Sequence, residues 1–182
     1  CKIILKKLDM SNRIPSVGTL VEAVAFAADK HRAQRRKDIA ASPYINHPIA
    51  LANVLANEDW VTNLTALCAA VLHDTVEDTD TTEQELAERF GNDITSVVME
   101  VTDDKSLDKA RRKELQIEHA PHMSYAARLV KLADKISNLR DILASPPADW
   151  STERKQAYFD WAAQVVESLR GTHPTLEGVF KA

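Results

Sequence analysis

One stretch constrains the fold of this chain more than any other: the apolar run Leu64–Leu72, which leads directly into His73 and Asp74. Glu77 and Asp78 follow, so one histidine and three carboxylates occupy six positions beside a segment that must be buried. An ionisable group next to a core is costly unless it is paired or bound to a cation. The pattern therefore predicts a buried helix that ends at a metal site.

The composition favours a single all-α domain. Among 182 residues only four are glycine, 45% are hydrophobic and 27% are charged, which is typical of an ordinary globular protein. We find no alternating strand pattern longer than four residues. The net charge of −4 argues against a protein that coats nucleic acid. No apolar run reaches the ~18 residues of a membrane span, so we expect no membrane partner. Of the two cysteines, Cys68 is expected to be a buried, reduced thiol, which favours a cytoplasmic location.

Helical periodicity predicts about eight helices. Their expected spans are 19–34, 48–57, 60–74, 82–90, 93–102, 109–119, 124–143 and 151–169. Capping-box patterns mark the starts at Thr19 and Thr82, and Gly91 is placed to end the fourth helix. Because the chain begins at Cys1, we interpret residues 1–9 as a leader before Met10, treat 1–18 as peripheral, and assign 19–182 to the domain.

Four residues form the candidate metal site: His47, His73, Asp74 and Asp134. Two imidazoles and two carboxylates form a site with nitrogen and oxygen donors, which suits Mn²⁺, Fe²⁺ or Zn²⁺ better than a thiolate site would. Taken alone, each residue has a simpler interpretation. His47 before Pro48 is more often a surface turn, and Asp134 in mid-helix is more often solvent-exposed. The spacing alone therefore leaves the metal site as a hypothesis.

Glu77 and Asp78 are the candidate catalytic carboxylates. They follow His73 and Asp74 by four residues each, so a continued helix would place them on the same side as the metal pair. Carboxylates that are near an ion without binding it can orient or deprotonate a water molecule. A solvated acidic loop is an equally good interpretation of these residues, since more acidic residues follow.

The chain resembles the hydrolase domain of RelA/SpoT proteins, which are HD-domain phosphohydrolases named after a His-Asp doublet. The resemblance lies in five segments, 31–38, 43–48, 72–79, 100–105 and 130–135, and covers about 19–180. Within that group it is similar to the small stand-alone alarmone hydrolases called metazoan SpoT homologues. One departure is visible: the loop before Pro43 reads Ile39-Ala40-Ala41-Ser42, without the glycine usual there. This loop lies at the expected edge of the pocket that binds the nucleotide base, so the departure bears on substrate preference.

The resemblance implies an HD-domain helical bundle and one Mn²⁺ ion, with Fe²⁺ or Zn²⁺ as substitutes. It implies removal of the 3′-pyrophosphate from guanosine tetraphosphate (ppGpp) or pentaphosphate, which releases GDP or GTP and pyrophosphate. An NADPH 2′-phosphatase, or another HD-type nucleotidase using the same metal site, is the alternative.

The family also implies the role of each site residue. The implied metal ligands are His47, His73, Asp74 and Asp134. Glu77 and Asp78 would handle the attacking water. The implied substrate-binding residues are Arg36, which stacks on the base, Lys37 beside it, Asn138, Lys109, Arg154 and Tyr158.

Two further classes of function stay open at this stage. The segment 30–37 carries five Lys or Arg residues, which could form a solvated face or an RNA-binding patch. It lacks the interleaved aromatic residues that stack on nucleic-acid bases, so we expect no nucleic-acid partner. A helical nucleotide sensor without turnover is the other alternative, and the pair Glu77-Asp78 argues against it because a binder does not need to activate water.

Overall fold

The structure is a computed structural model that describes residues 14–181. This part of the chain contains ten α-helices, one π-helical segment and one 3-10 turn. The helices are α1 (Val17–Lys30), α2 (Asn46–Asn53), α3 (Leu64–Leu72), α4 (Thr75–Asp78), α5 (Glu83–Phe90), α6 (Asn92–Val101), α7 (Lys109–His119), α8 (Tyr125–Ala144), α9 (Thr152–Ser168) and α10 (Pro174–Lys181). The π-helical segment Val54–Glu58 continues α2, and the 3-10 turn Ala120–His122 follows α7. The predicted all-α class is confirmed.

Helix α3 lies at the centre of the bundle. It packs against α1, α2, α6 and α8, and every residue from 66 to 72 is buried. Leu72 is fully buried at the end of this helix. Each such leucine stabilises the fold by about 1.5–3 kcal/mol relative to an exposed one. The burial of α3 is what brings His73 and Asp74 to the middle of the molecule.

The boundaries of α3 differ from the prediction at its start. Asn63 caps the helix by accepting a hydrogen bond from the Ala66 amide, so the helix begins at Leu64 rather than at residue 60. Trp60 is exposed and has a φ of 55°, a left-handed conformation that a helix does not accommodate. The apolar character of Trp60 and Val61 misled the periodicity argument.

Capping side chains explain most other helix starts. The side chains of Thr82, Ser124 and Ser151 each accept a backbone N–H, as predicted for the first of them. In α1 the capping box is formed by Ser16 with Thr19, so this helix begins earlier than expected. Helix α10 was not predicted. Residues 1–9 of the predicted leader lie outside the described residues.

The described residues contain no helix that is both long and apolar enough to cross a bilayer. Gly91 has a φ of 84° at the junction of α5 and α6, a conformation that favours glycine, which confirms its predicted place at the end of α5.

Candidate metal centre and substrate cavity

Three of the four predicted metal ligands form one compact group. One nitrogen from His47, one from His73 and one oxygen from Asp134 all lie within 4.8 Å of one another. The Asp134 Oδ1 atom is 3.4 Å from His47 Nε2 and 3.9 Å from His73 Nε2. Asp74 joins the group through His73, since its Oδ2 is 2.9 Å from the same Nε2. The structure therefore gathers all four residues from α2, the end of α3 and α8.

The hydrogen bonds of His73 fit a metal ligand. Its Nδ1–H donates to the Ala70 carbonyl oxygen at 2.8 Å, and a carbonyl only accepts, so Nδ1 carries the proton. Nε2 faces the two carboxylates and is the nitrogen left to bind a metal in place of its proton, as in other histidine ligands whose Nδ1 is held by a carbonyl. The His47 ring packs against the His73 ring with centroids 5.3 Å apart, and His47 Nδ1 is buried with no hydrogen-bond partner among residues 14–181.

The electrostatics of the group also favour a cation. Burial would raise the pKa of Asp134, but Lys135 and the two histidines hold that pKa well below its usual range. Burial opposes a charged His73, yet Asp74 and Asp134 outweigh it and raise its pKa to about 9. A buried pair of carboxylates that attracts a proton this strongly also attracts a divalent ion.

Neighbouring side chains hold the two aspartates in place. The Asn138 side-chain amide donates to Asp134 Oδ1 at 2.6 Å, and Lys135 Nζ donates to Oδ2 at 3.0 Å. The Tyr44 hydroxyl donates to Asp74 Oδ2. Such outer contacts fix the orientation of metal ligands. Asn138 thus contacts a candidate metal ligand and also lines the cavity described below.

Glu77 lies in the single-turn helix α4, directly after the metal pair. Its Oε2 accepts the Asp103 backbone N–H at 3.2 Å, while Lys105 and Arg112 lie 3.9 and 3.8 Å from Oε1. Burial, with Asp103 and Asp74 nearby, raises the pKa of Glu77 to about 7. A carboxyl group with such a pKa can exchange a proton near neutral pH.

Asp78 is fixed by residues outside its own helix. Lys105 donates to its Oδ1, and the Gln34 amide donates to its Oδ2 at 3.2 Å. Gln34 is fixed in turn by His31, which is buried and lies 2.7 Å away through Nδ1 and Oε1. Because a carboxylate only accepts, Gln34 must present its amide nitrogen to Asp78 and its oxygen to His31. Sequence reasoning missed this connection, since nothing in the spacing of Gln34 and Asp78 indicates contact.

A cavity of about 680 Å³ opens beside the metal group. This is the size range of small-molecule sites. Four of the six predicted substrate-binding residues line it, namely Arg36, Lys37, Asn138 and Tyr158. His47 and Asp78 also line it, so the cavity and the metal group share a wall.

The loop at 35–43 presents Arg36 to this cavity. An isolated antiparallel bridge pairs Arg35 with Pro43, and the Arg36 amide donates to the Ser42 carbonyl at 2.9 Å. Ala41 has a φ of 46°, at the loop where the family usually carries glycine. A left-handed alanine is strained, which gives a physical form to the departure noted in the sequence.

Arg36 is oriented from two sides. Its guanidinium carbon lies 5.8 Å from the centroid of the Tyr44 ring, and it donates a hydrogen bond to Asp141, another cavity residue. Asp141 was not predicted. It lies seven residues after Asp134, two turns along α8, a spacing that places both on one face of the helix.

The two remaining predicted substrate residues, Lys109 and Arg154, are exposed and are not among the residues that line the cavity. Arg154 lies over the ring of Trp150 at 4.5 Å and 3.8 Å from Asp149. Lys109 begins α7 and contributes to the positive field around Lys113. These two residues lie at a second, more exposed region next to the cavity residue Tyr158.

A comparison with protein-family models matches residues 23–168 to the HD domain. The chain belongs to the HD-domain family. The His73-Asp74 doublet is thus part of a recognised domain, and the matched span includes all the candidate metal, catalytic and substrate residues named above.

Relatives within the HD-domain family are closely similar over nearly their whole length. The chain is 56% identical over 162 residues to the human "Guanosine-3′,5′-bis(diphosphate) 3′-pyrophosphohydrolase MESH1", covering 89% of this chain and 90% of that protein. The Xenopus tropicalis protein of the same name is 55% identical over 159 residues, covering 87% of this chain and 89% of that protein. This HD-domain chain therefore belongs with the MESH1 proteins.

The fold agrees with a solved structure described by the words "a metazoan ortholog of SpoT hydrolyzes ppGpp and plays a role in starvation responses". The TM-score is 0.88 at 47% sequence identity, covering 93% of this chain and 94% of that one. A Listeria monocytogenes structure with a TM-score of 0.61 and 21% identity shares the fold. The similarity to the metazoan SpoT relatives predicted from the sequence motifs is confirmed.

Proposed function

We propose that this chain is a Mn²⁺-dependent phosphohydrolase that removes the 3′-pyrophosphate from ppGpp and its pentaphosphate, leaving GDP or GTP. The observation that carries the proposal is the group formed by His47, His73 and Asp134, with Asp74 attached, beside a nucleotide-sized cavity that His47 lines. The names of the MESH1 relatives support the choice of substrate.

In this proposal the four ligands hold one divalent ion. When bound, such an ion polarises a phosphoryl oxygen and makes a bound water more acidic. The residues offer two nitrogens and carboxylate oxygens, a set that suits Mn²⁺ and also admits Fe²⁺ or Zn²⁺. His73 contributes Nε2 because Ala70 holds its other nitrogen, and Asn138 and Tyr44 keep the two aspartates in place.

Glu77 and Asp78 then divide the handling of the attacking water. Glu77, with its pKa raised to about 7, accepts a proton from the water as the new bond to phosphorus forms. Asp78, held at both oxygens by Lys105 and Gln34, orients that water. The bond between phosphorus and the ribose 3′ oxygen breaks, and that oxygen gains a proton from the solvent. The products are pyrophosphate and GDP from ppGpp, or GTP from the pentaphosphate.

Arg36 provides the platform for the base. Its guanidinium is half-buried, held by Asp141 and stacked near Tyr44, so it presents a flat face to the cavity. Lys37 beside it is exposed and adds positive charge that attracts a polyphosphate. Because the cavity would hold a single nucleotide, we expect no nucleic-acid partner.

The test is product identification. Purified protein treated with chelator and then supplied with Mn²⁺ is incubated with ppGpp, NADPH and a deoxynucleoside monophosphate in parallel. We expect GDP and pyrophosphate in equal amounts from ppGpp, at the highest kcat/KM of the three. A clear preference for NADPH would replace ppGpp as the substrate, and binding of ppGpp without turnover would favour a nucleotide sensor.

The predicted cytoplasmic location belongs to this proposal as well. Cell fractionation with antibodies against the chain would test it, and recovery in a membrane or organelle fraction would contradict it.

A further inference from the structure

A half-buried ammonium group without a counter-charge lies near the metal centre. Lys113 Nζ is 4.6 Å from the centroid of Trp161 and 5.6 Å from that of Tyr158. The Trp161 indole N–H donates to the Lys113 carbonyl oxygen at 3.0 Å, which ties α7 to α9 at this point. Within residues 14–181, Lys113 Nζ makes neither a hydrogen bond nor an ion pair. The amine is therefore fixed in direction but has no negative partner.

Three other cations act on Lys113. Burial comes first, and the charges of Lys109, Lys135 and Arg154 add to it, so the pKa of Lys113 is lowered. Lys113 is half-buried and Lys135 is buried, so water screens the repulsion between these two less than it screens the exposed Lys109 and Arg154. The nearest acid to Arg154 is Asp149, which is exposed and 3.8 Å away. A bound anion would relieve this repulsion.

Two lysines connect the metal group to the surroundings of Lys113 through the ring of Trp161. Lys135 Nζ is 3.0 Å from Asp134 Oδ2 and 4.3 Å from the centroid of Trp161. Lys113 contacts the same Trp161 ring, so the path runs from a metal ligand through Lys135 to Lys113. Lys113 is not among the residues that line the cavity, but its ammonium group lies over the ring of Tyr158, which is one of them. An outer phosphate would meet Lys113 beside that ring.

We propose that Lys113 binds the outer phosphate of the 3′-pyrophosphate and thereby selects a pyrophosphate over a monophosphate at this site. The inner phosphorus is the one attacked at the metal, and the outer phosphate carries the additional negative charge that the Lys113 region lacks. Lys109 and Arg154 contribute to the same field from the exposed side. This inference rests on the proposed function, because that function supplies the substrate.

The competing explanation for Lys113 is packing alone. An ammonium group over two aromatic rings stabilises the contact between α7 and α9 by itself. In that case removal of the charge changes stability and leaves anion binding unaffected. A long apolar side chain at this position separates the two explanations, since Lys113→Met keeps contact with Trp161 and removes the charge.

The experiment is isothermal titration calorimetry of the Mn²⁺-loaded protein with inorganic pyrophosphate and, separately, inorganic phosphate, at a fixed excess of Mn²⁺. We expect Lys113→Met to weaken pyrophosphate binding about tenfold or more, the size of a lost charge-assisted hydrogen bond, and to leave phosphate binding within about twofold. Lys113→Arg should retain most of the affinity. Arg111→Met is the matched control, because it removes one charge from another face of α7, where Arg111 pairs with Glu114 and Glu118.

The kinetic arm uses the same variants. Lys113→Met should raise the KM for ppGpp about tenfold with kcat nearly unchanged, and leave any KM for NADPH as in the wild type, because a 2′-monophosphate has no outer phosphate. Circular dichroism melts check folding, and Lys113→Gln replaces the methionine variant if that variant does not fold.

Each outcome decides the inference. Equal pyrophosphate affinity in wild type and Lys113→Met, or an equal loss for phosphate and pyrophosphate, would overturn it. A wild-type protein that binds pyrophosphate through Lys113 but does not hydrolyse ppGpp would disprove the proposed function and leave this binding site standing. Hydrolysis of ppGpp that is insensitive to Lys113 would leave the proposed function standing and disprove the role of Lys113.

Discussion

Replacing Asp103 by asparagine changes the charge beside Glu77 and keeps the size of the side chain. The Asp103 backbone N–H donates to Glu77 Oε2 at 3.2 Å, and its carboxylate is the largest cause after burial of the raised pKa of Glu77. Asp103→Asn keeps the backbone hydrogen bond and removes the repulsion. We expect the pKa of Glu77 to fall by about 0.5–1 unit, equivalent to about 0.7–1.4 kcal/mol.

The sign of the effect on activity follows from the role of Glu77 as a base. A base must be ionised, so activity is lost as the pH falls through the pKa of Glu77, which lies at about 7 without metal. Below that pKa, kcat/KM should decline about tenfold per pH unit. A bound divalent cation attracts the ionised form and moves this acidic limb to lower pH. Asp103→Asn should move it lower again, by about 0.5–1 unit.

The assay is the initial rate of ppGpp hydrolysis at saturating Mn²⁺ from about pH 5 to pH 8, a range that spans the limb. Asp104→Asn is the matched control, since this exposed neighbour is not among the causes of the Glu77 shift. Glu77→Gln should abolish the limb and lower kcat by about 10²–10⁴. An acidic limb that stays in place in Asp103→Asn, or moves equally in Asp104→Asn, would refute the role given to Glu77.

Three further changes test other parts of the account. Gln34→Glu puts a carboxylate where an amide now donates to Asp78, so kcat should fall about tenfold or more. The half-saturating Mn²⁺ concentration should stay unchanged. A Mn²⁺ titration of activity checks both, and weakened metal binding would contradict the role given to Gln34. Ala41→Gly should raise the free energy of unfolding by about 1 kcal/mol in urea titrations, because Ala41 is strained at positive φ; an unchanged or lower value would count against that strain. Leu72→Ala should lower the free energy of unfolding by about 2–5 kcal/mol in the same assay, and a loss under about 1 kcal/mol would mean that α3 is not the centre of the core.

The fold could be predicted where local chemistry marks the elements. Helix α7 has the predicted span, and α5, α8 and α9 start where a serine or threonine caps the first turn. The start of α3 was wrong because Trp60 is apolar yet exposed, and apolar character alone does not show which side of the chain meets the core. Helix α10 was missed in a segment that carries an internal glycine, Gly178, which weakens a helical pattern.

The candidate site could also be predicted only in part from the sequence. His73 and Asp74 were visible because a buried apolar run ends at them. His47 and Asp134 were candidates from residue type alone, and the family motif strengthened them. The contacts of Gln34 with Asp78, and of Lys113 with Trp161, join residues 44 and 48 positions apart in the chain. No periodicity relates such positions, so these contacts appear only when the helices are packed.

We propose that turnover depends on one divalent ion held by His47, His73, Asp74 and Asp134. The most direct measurement is a stepwise Mn²⁺ titration of chelator-treated protein, wild type and Asp134→Asn, with GDP and pyrophosphate quantified at each step. We expect no product without metal, full activity of the wild type near one equivalent of Mn²⁺, and at most traces from Asp134→Asn. Hydrolysis of ppGpp by metal-free protein, or wild-type activity in Asp134→Asn, would contradict this proposal.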